Sequence, residues 1–322
     1  TRQIPFRKKQ KYVPQAEEPT VQSIVGSTVT LNAPLQFDHW GPRDADGAVG
    51  EIEQSLLPHV GNLSRNVIIR STRLSESAKT EYCMGAENVN NASSCVTRGH
   101  TLFLRRAAVD IRYASFENLG RTTNDSLNNT IVDGTGLPIF VGLNQIGRYS
   151  IHMHRMMGPV NLSNSGYQYH LVGNVIEGML KWGLAVHDTH YGLIKDNIAY
   201  DGQGAAITTE DGNESFNVFE RNFVVHTKAG DEEQVLESPK RGGVFNSRQL
   251  FGTTRDGFWF SGMNNYIRDN VVANSPDFAY NYNGYYLTPN QPIPNFRGAN
   301  METDSTLHVA LPVLESARNE AY

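Results

Sequence analysis

The chain has 322 residues, 39 % hydrophobic and 19 % charged, with a net charge of −5; it is long enough to bury a sizeable core and is not a disordered chain. No broad basic surface points to nucleic acid, and no apolar run approaches the ~20 residues of a membrane span, so the segment reads as soluble. Abundant Gly and Asn, with Tyr and Phe far outnumbering Trp, suit a turn-rich β protein that faces a polar ligand.

In chain order, the positive run RKKQKY (Arg7 to Tyr12) reads as a solvated linker. With no initiator Met and no signal peptide, the N-terminus reads as a processed end. QSIVGSTVTLNAPLQFDH (Gln22 to His39) alternates polar and apolar residues and breaks at Gly26 and Pro34, as a hairpin would. Residues 1–40 are therefore taken as a linker and the tail of a preceding β domain, and 41–322 as the main domain. LSRNVIIRS (Leu63 to Ser71) and VDIRYASFENLGR (Val109 to Arg121) read as strands. Between them CMGAENVNNASSC places Cys83 and Cys95 in a polar loop. A disulfide there would contribute about 3 kcal/mol and imply an oxidising compartment, with two free thiols as the alternative. N-x-S/T sequons at Asn62, Asn91, Asn124, Asn128, Asn161 and Asn213 point weakly the same way.

The second half carries a repeat. Asparagines 174, 197, 222, 270 and 319 recur in VGNVIEG, KDNIAYDG, ERNFVVH, RDNVVANS and ARNEAY, at steps of 23, 25, 48 and 49 residues. The last two read as double steps of about 24. Such a unit is too short for a βαβ crossover and fits one coil of a parallel β-helix, in which inward asparagines stack as a ladder about 4.8 Å apart. Excursions at Arg121 to Pro138 and Lys228 to Ser247 would project from one face. The sequence stops at RNEAY within a unit, so it reads as part of a longer protein whose solenoid ends could self-associate.

GRYSIHMHRMMG (Gly147 to Gly158) sets His152 and His154 on one face of a strand. His187 in WGLAVHDTHYG and Glu210 with Asp211 in AAITTEDGN fall at similar heights on the next coils. Three imidazoles and a carboxylate suit one divalent metal; His152, His154, His187 and Glu210 are the candidate ligands for Zn, Cu, Fe, Ni, Mn or Ca. Without metal, His187 or His190 with Asp188, Glu210 or Asp211 would make an acid/base pair. Arg148, Lys181 and Arg155 are candidates for a uronate or sulfate, and Tyr149, Trp182 and Trp259 for stacking on sugar rings. The competing reading is structural, since an isolated HxH is a weak motif. His39, His59, His100, His170 and His226 are assigned to structure or surface. There is no phosphate-cradling glycine loop, GxSxG elbow or CxxC pair.

These stretches, with GHTLFLRRAAVDIRYASFENLGR, VHDTHYGLIKDNIAYD and TEDGNESFNVFERN, resemble the secreted and cell-surface hyaluronan-depolymerising proteins of animals, their relative fibrocystin, and bacterial relatives. The resemblance runs from about Val21 to Asn222 and more loosely through Asp256 to Ser275. It implies a right-handed parallel β-helix acting outside the cell or at its surface on an acidic polysaccharide. It extends to Arg148, His152, His154, His187, His190, Glu210 and Asp211; Ser150 stands where the animal relatives tend to have Pro. The leading expectation is a polysaccharide hydrolase or lyase. The rivals are a non-catalytic carbohydrate-binding or adhesive β-helix, and a metal-dependent glycan oxidoreductase.

Overall fold

Turns that stack Asn on Asn set the frame of this chain. The computed structural model describes residues 15–39, 59–72, 98–123, 129–140, 142, 144–156, 158, 166–228, 254–282, 291–294, 305–308 and 312–322. Cys83 and Cys95, four of the sequons and most of the Lys228 to Ser247 excursion lie outside these residues. So does the expected boundary at 40/41. The contacts divide the chain into two compact units, Thr1–Asn62 and Leu63–Tyr322.

In the first unit, Val21–Val25 pairs antiparallel with Thr28–Leu31, turning at Gly26 as expected. The second unit is a parallel β-helix of three sheets. Sheet I stacks Val109–Arg112, Tyr169–Val172, Gly192–Lys195, Val218–Glu220, Tyr266–Arg268 and Glu315–Ala317. Sheet II stacks Val67–Arg70, Ala114–Glu117, Val175–Glu177, Ile198–Gln203, Phe223–Lys228, Val271–Ala273 and Glu320–Ala321. Sheet III stacks Thr101–Leu104, Ile151–His154, Leu184–His187, Ile207–Thr209, Phe258–Phe260 and Tyr280–Tyr282. The chain visits I, II and III in turn, so every neighbour in a sheet comes from an adjacent coil. Period-two alternation sends Ile151, Met153, Leu184, Val186, Ile207, Phe258 and Phe260 into the shared core.

The corner between sheets I and II shows why asparagine recurs. Asn174 donates its backbone N–H (2.9 Å) and side-chain amide (3.0 Å) to Asn197 Oδ1, and the same pair of bonds links 197 to 222, 222 to 270 and 270 to 319. Each side chain satisfies backbone groups that the turn leaves unpaired in the interior. Asn222 bonds directly to Asn270, and Asn270 to Asn319, so the steps of 48 and 49 residues are single coils enlarged by excursions, not double steps. The residue before each of these asparagines is left-handed: Gly173, Asp196, Arg221, Asp269 and Arg318 have φ between 52° and 67°. Side chains at these positions pair between coils, Arg221 with Asp196 and Arg318 with Asp269, each through two hydrogen bonds.

A second, shorter ladder occupies the corner between sheets III and I. Asn217 donates its backbone N–H and its amide to Asn265 Oδ1, both at 2.9 Å. Its own Oδ1 accepts from Gly192 N and from the Tyr169 hydroxyl, at 2.8 and 2.9 Å. The phenol reaches across the intervening coil because residue 192 lacks a side chain: a Cβ there would lie 1.9 Å from Tyr169 Cζ. Gly192→Ala is therefore expected to destabilise by roughly 2–4 kcal/mol in urea unfolding, through overpacking of a buried ring. A loss under 0.5 kcal/mol would contradict this packing argument.

Candidate functional site: a histidine and carboxylate cluster on sheet III

The outer face of sheet III carries the site. Pairing puts Leu102, His152, Ala185, Thr208 and Trp259 in one row across the sheet, and Leu104, His154 and His187 in the next. His152 and His154 thus share a face, with Ile151 and Met153 turned into the core. Glu210, whose N–H donates to Val186 O at 2.9 Å, follows directly after Ile207–Thr209 on the neighbouring coil.

Ring nitrogens of His152, His154 and His187 lie within 4.8 Å of one another, and His187, Asp188 and Asp211 form a second set within the same limit. The three rings meet face to edge or stacked, with centroids 4.5 to 5.8 Å apart. His187 belongs to both sets. Its Nε2 lies 2.7 Å from Asp211 Oδ2 and 3.4 Å from Asp188 Oδ2, and its Nδ1 lies 3.4 Å from Glu210 Oε2. His152 Nε2 is 4.0 Å from the same Glu210 oxygen.

Protonation follows from these surroundings. Burial pushes His152 down to about 3, and burial with the neighbouring His187 charge pushes His154 down to about 4, so both are neutral near pH 7. Burial also opposes charge on His187, but Asp188, Asp211 and Glu210 override it and hold the imidazolium up to about 11. Burial raises Glu210. His152 Nδ1 sits 3.0 Å from Gly147 O. A carbonyl can only accept, so Nδ1 carries the hydrogen and Nε2 is left with its lone pair. That Nε2 and Glu210 Oε2 are both buried without a hydrogen-bond partner. Orphaned imidazole and carboxylate acceptors facing the same space fit a cation, and a ring fixed through its far nitrogen is how metal-binding histidines are oriented.

Several expected contributors stand elsewhere. Tyr149 and Trp182, proposed as sugar platforms, are 1 % and 2 % exposed and pack with Ala185, Ala205 and Trp259 into a small apolar shelf beside the histidines. Their rings are already covered, so they support the site from the side. Lys181 is only 2 % exposed and lies 4.8 Å over the Trp182 ring, and burial lowers its pKa to about 8. It is not a surface contact for an anion. His190 has no exposed surface and its Nδ1 accepts from Ser215 N at 3.2 Å, so it is an internal corner residue, not a general acid or base at the cluster. The sequon at Asn213 is 2 % exposed and closed to glycosylation in this fold. Arg148 remains half-buried at the flank, with Nη1 donating to Ile146 O at 3.0 Å.

Glu214 escaped the sequence reading. Fully buried, it accepts from the backbone N–H of Asp188 (3.0 Å), Asp211 (2.8 Å) and Gly212 (2.9 Å), tying together the two turns that present carboxylates to His187. Burial and the Asp211 charge raise it to about 8. Gly262 makes room for it, since a Cβ there would lie 2.2 Å from Glu214 Oε2. A glutamate in a turn directly after TEDGN was the available signal.

His190 gives a pH prediction. Burial holds its pKa at about 4 in the folded state against 6.5 when unfolded, so the unfolded chain takes up the proton first as pH falls. Its contribution to stability is complete above about pH 6.5 and disappears towards about pH 4, on the order of 3 kcal/mol. Urea unfolding of His190→Gln should show a pH dependence shallower by that amount. An unchanged slope would refute the assignment.

A parallel β-helix with a polar, histidine-rich cluster on one outer face is thereby defined. The chain belongs to the CEMIP beta-helix family, whose model matches residues 132–321. It is also 26 % identical over 291 residues to Fibrocystin-L of Mus musculus and 25 % identical over 294 residues to Fibrocystin-L of Homo sapiens, in each case over 83 % of this chain. The matched region spans about 6 % of the length of those relatives. No solved structure gives a significant match. Among the described residues, no helix is long and apolar enough to cross a membrane.

Proposed function

We propose that this chain is the β-helix of an extracellular or cell-surface polysaccharide-active protein, a hyaluronidase-like hydrolase or lyase on an acidic glycan, with one divalent transition metal held by His152, His154, His187 and Glu210. The observation that carries this reading is the fixed His152 tautomer, whose bare Nε2 lies 4.0 Å from a Glu210 oxygen that likewise lacks a hydrogen bond, and within ligand distance of His154 and His187. When bound, the metal would polarise an oxygen of substrate or water. The chain's own residues orient the ligands: Gly147 O holds His152, Asp211 engages His187 Nε2, and Glu214 holds the turns of Asp188 and Asp211. The proton that His187 keeps among three carboxylates is the charge that a dication would replace.

A metal-free reading has one observation in its favour, the 2.7 Å pairing of His187 with Asp211, which makes an acid/base couple. A pair of carboxylates working across a sugar is less well supported. Asp188 and Asp211 both contact the same imidazole nitrogen, which already fills the gap that substrate or water would need.

The test is incubation of the protein with high-molecular-mass hyaluronan, with and without chelator, read by chain length and by the ultraviolet absorbance of any new double bond. Shortening abolished by chelator and by His187→Ala supports the metal-dependent enzyme, and the absorbance separates lyase from hydrolase. Shortening indifferent to chelator favours the acid/base couple. Intact polymer throughout rules out a hyaluronan-cleaving enzyme, and retention of the protein on immobilised hyaluronan would then favour the non-catalytic binder.

A further inference from the structure

Beside the cluster, three chain segments are laced at the corner between sheets II and III. Gly120 N donates to Gly99 O at 2.7 Å, Arg121 N to Arg148 O at 2.8 Å, and Thr101 N to Ser150 O at 3.2 Å. The Ser150 hydroxyl donates to Leu119 O at 2.8 Å, and the buried Thr122 hydroxyl accepts from Arg148 N at 2.9 Å while donating to Gln145 O at 2.6 Å. This lacing brings His100, Arg121 and Arg148 to one place, each from a different segment and each only partly exposed.

Arg121 and Arg148 carry the same charge, and neither they nor His100 has a carboxylate partner among the described residues. Arg121 Nη2 donates to Gln145 Oε1 at 3.0 Å and Arg148 Nη1 to Ile146 O at 3.0 Å, both neutral acceptors. Several other described arginines pair with acids, Arg221 with Asp196, Arg255 with Asp277, Arg268 with Glu220 and Glu315, and Arg318 with Asp269, while Arg65 and Arg98 reach backbone carbonyls. The electrostatics agree. Burial, then the Arg121 and Arg148 charges, lower His100, and burial, then Arg121, lowers Arg148. Two partly buried guanidiniums close enough to disfavour each other's charge, with no carboxylate partner among the described residues, are unfavourable unless an anion joins them. Planar guanidinium forks match a carboxylate in particular.

The geometry points to a carboxylate-binding subsite formed by Arg121 and Arg148, with His100 at its edge, that takes the uronate group of an acidic saccharide next to the histidine cluster. Arg148 is four residues from His152, and Gly147, which anchors the His152 ring, precedes it directly. A saccharide held here by its acid group would lie against the cluster with an adjoining sugar. The inference rests on the polysaccharide reading and adds to it which residues recognise the acid.

The test is calorimetric titration of the full chain with a hyaluronan hexasaccharide and with chitohexaose, which keeps the N-acetylglucosamine units and lacks the carboxylates. The acidic hexasaccharide should bind at least about tenfold more tightly, and Arg121→Gln and Arg148→Gln should each weaken it about tenfold, the scale of one charge-assisted contact. Arg121→Lys should recover only part, because it restores charge without the fork. Arg318→Gln, which removes the same charge at the sheet I–II corner, should change nothing. Acidic saccharide bound equally by all variants, or both saccharides bound alike, would overturn the subsite while leaving glycan binding intact. Binding of neither saccharide would overturn the polysaccharide reading and the subsite with it.

Discussion

Dialysed against a divalent transition metal and then against metal-free buffer, the native chain is expected to retain about one equivalent, and a His152→Ala, His154→Ala double variant essentially none. Two of three imidazoles go, including the one whose Nε2 is pre-aimed by Gly147 O. Losing one orienting outer contact already weakens metal binding roughly 10–100-fold, and losing two ligands should exceed that. Folding should be little disturbed, because Ile151 and Met153 carry the core contacts of this strand. Metal content by plasma mass spectrometry, beside a thermal melt of each protein, decides the matter. Equal metal in both proteins, or none in the native chain, would defeat the ligand assignment.

Asn222→Leu is expected to destabilise by roughly 4–6 kcal/mol, among the largest single-residue effects in this fold. The side chain accepts from Asn197 N and Nδ2 and donates to Ile194 O and to Asn270 Oδ1, at 2.9 to 3.1 Å. Leucine would leave the Asn197 donors and the Ile194 carbonyl buried and unpaired. The same change at Asn319, which is partly exposed, should lose only about 1–2 kcal/mol in this chain, since water can replace its partners. Urea unfolding of both variants checks the contrast. Equal losses would mean that rung burial is not what sets the energy.

The ladder and the histidine face were legible for the same reason: both rest on fixed periods, one coil in the first case and two residues in the second. Spacing failed where it carries no information about neighbours. A gap of 48 residues between asparagines is consistent with two coils or one, and only the Asn222 to Asn270 bond decides. The Asn217 to Asn265 ladder was readable in principle, because each lies five residues before a rung of the first ladder. Tyr149 and Trp182 were misjudged because an aromatic beside a strand is open or covered according to what the adjacent turns place over it. Here Ala185 and Ala205 are small enough to let the two rings pack together, tilted at 42°. The Arg121 and Arg148 corner was hidden because 27 residues of chain separate two positions joined by one backbone bond.

The coil of this protein is a unit of height, independent of contour. Asn197 and Asn222 are separated by 25 residues, Asn222 and Asn270 by 48, yet the bonds between successive rungs are the same within 0.1 Å. Chain added between rungs therefore leaves the pitch alone, and closing a longer loop adds only a slowly growing entropy. The strands Ile151–His154, Leu184–His187 and Ile207–Thr209 that carry the cluster are held at the sheet spacing by their own pairings. New segments can thus be grafted around the histidines, reshaping the surface beside them, while the three imidazoles stay where they are.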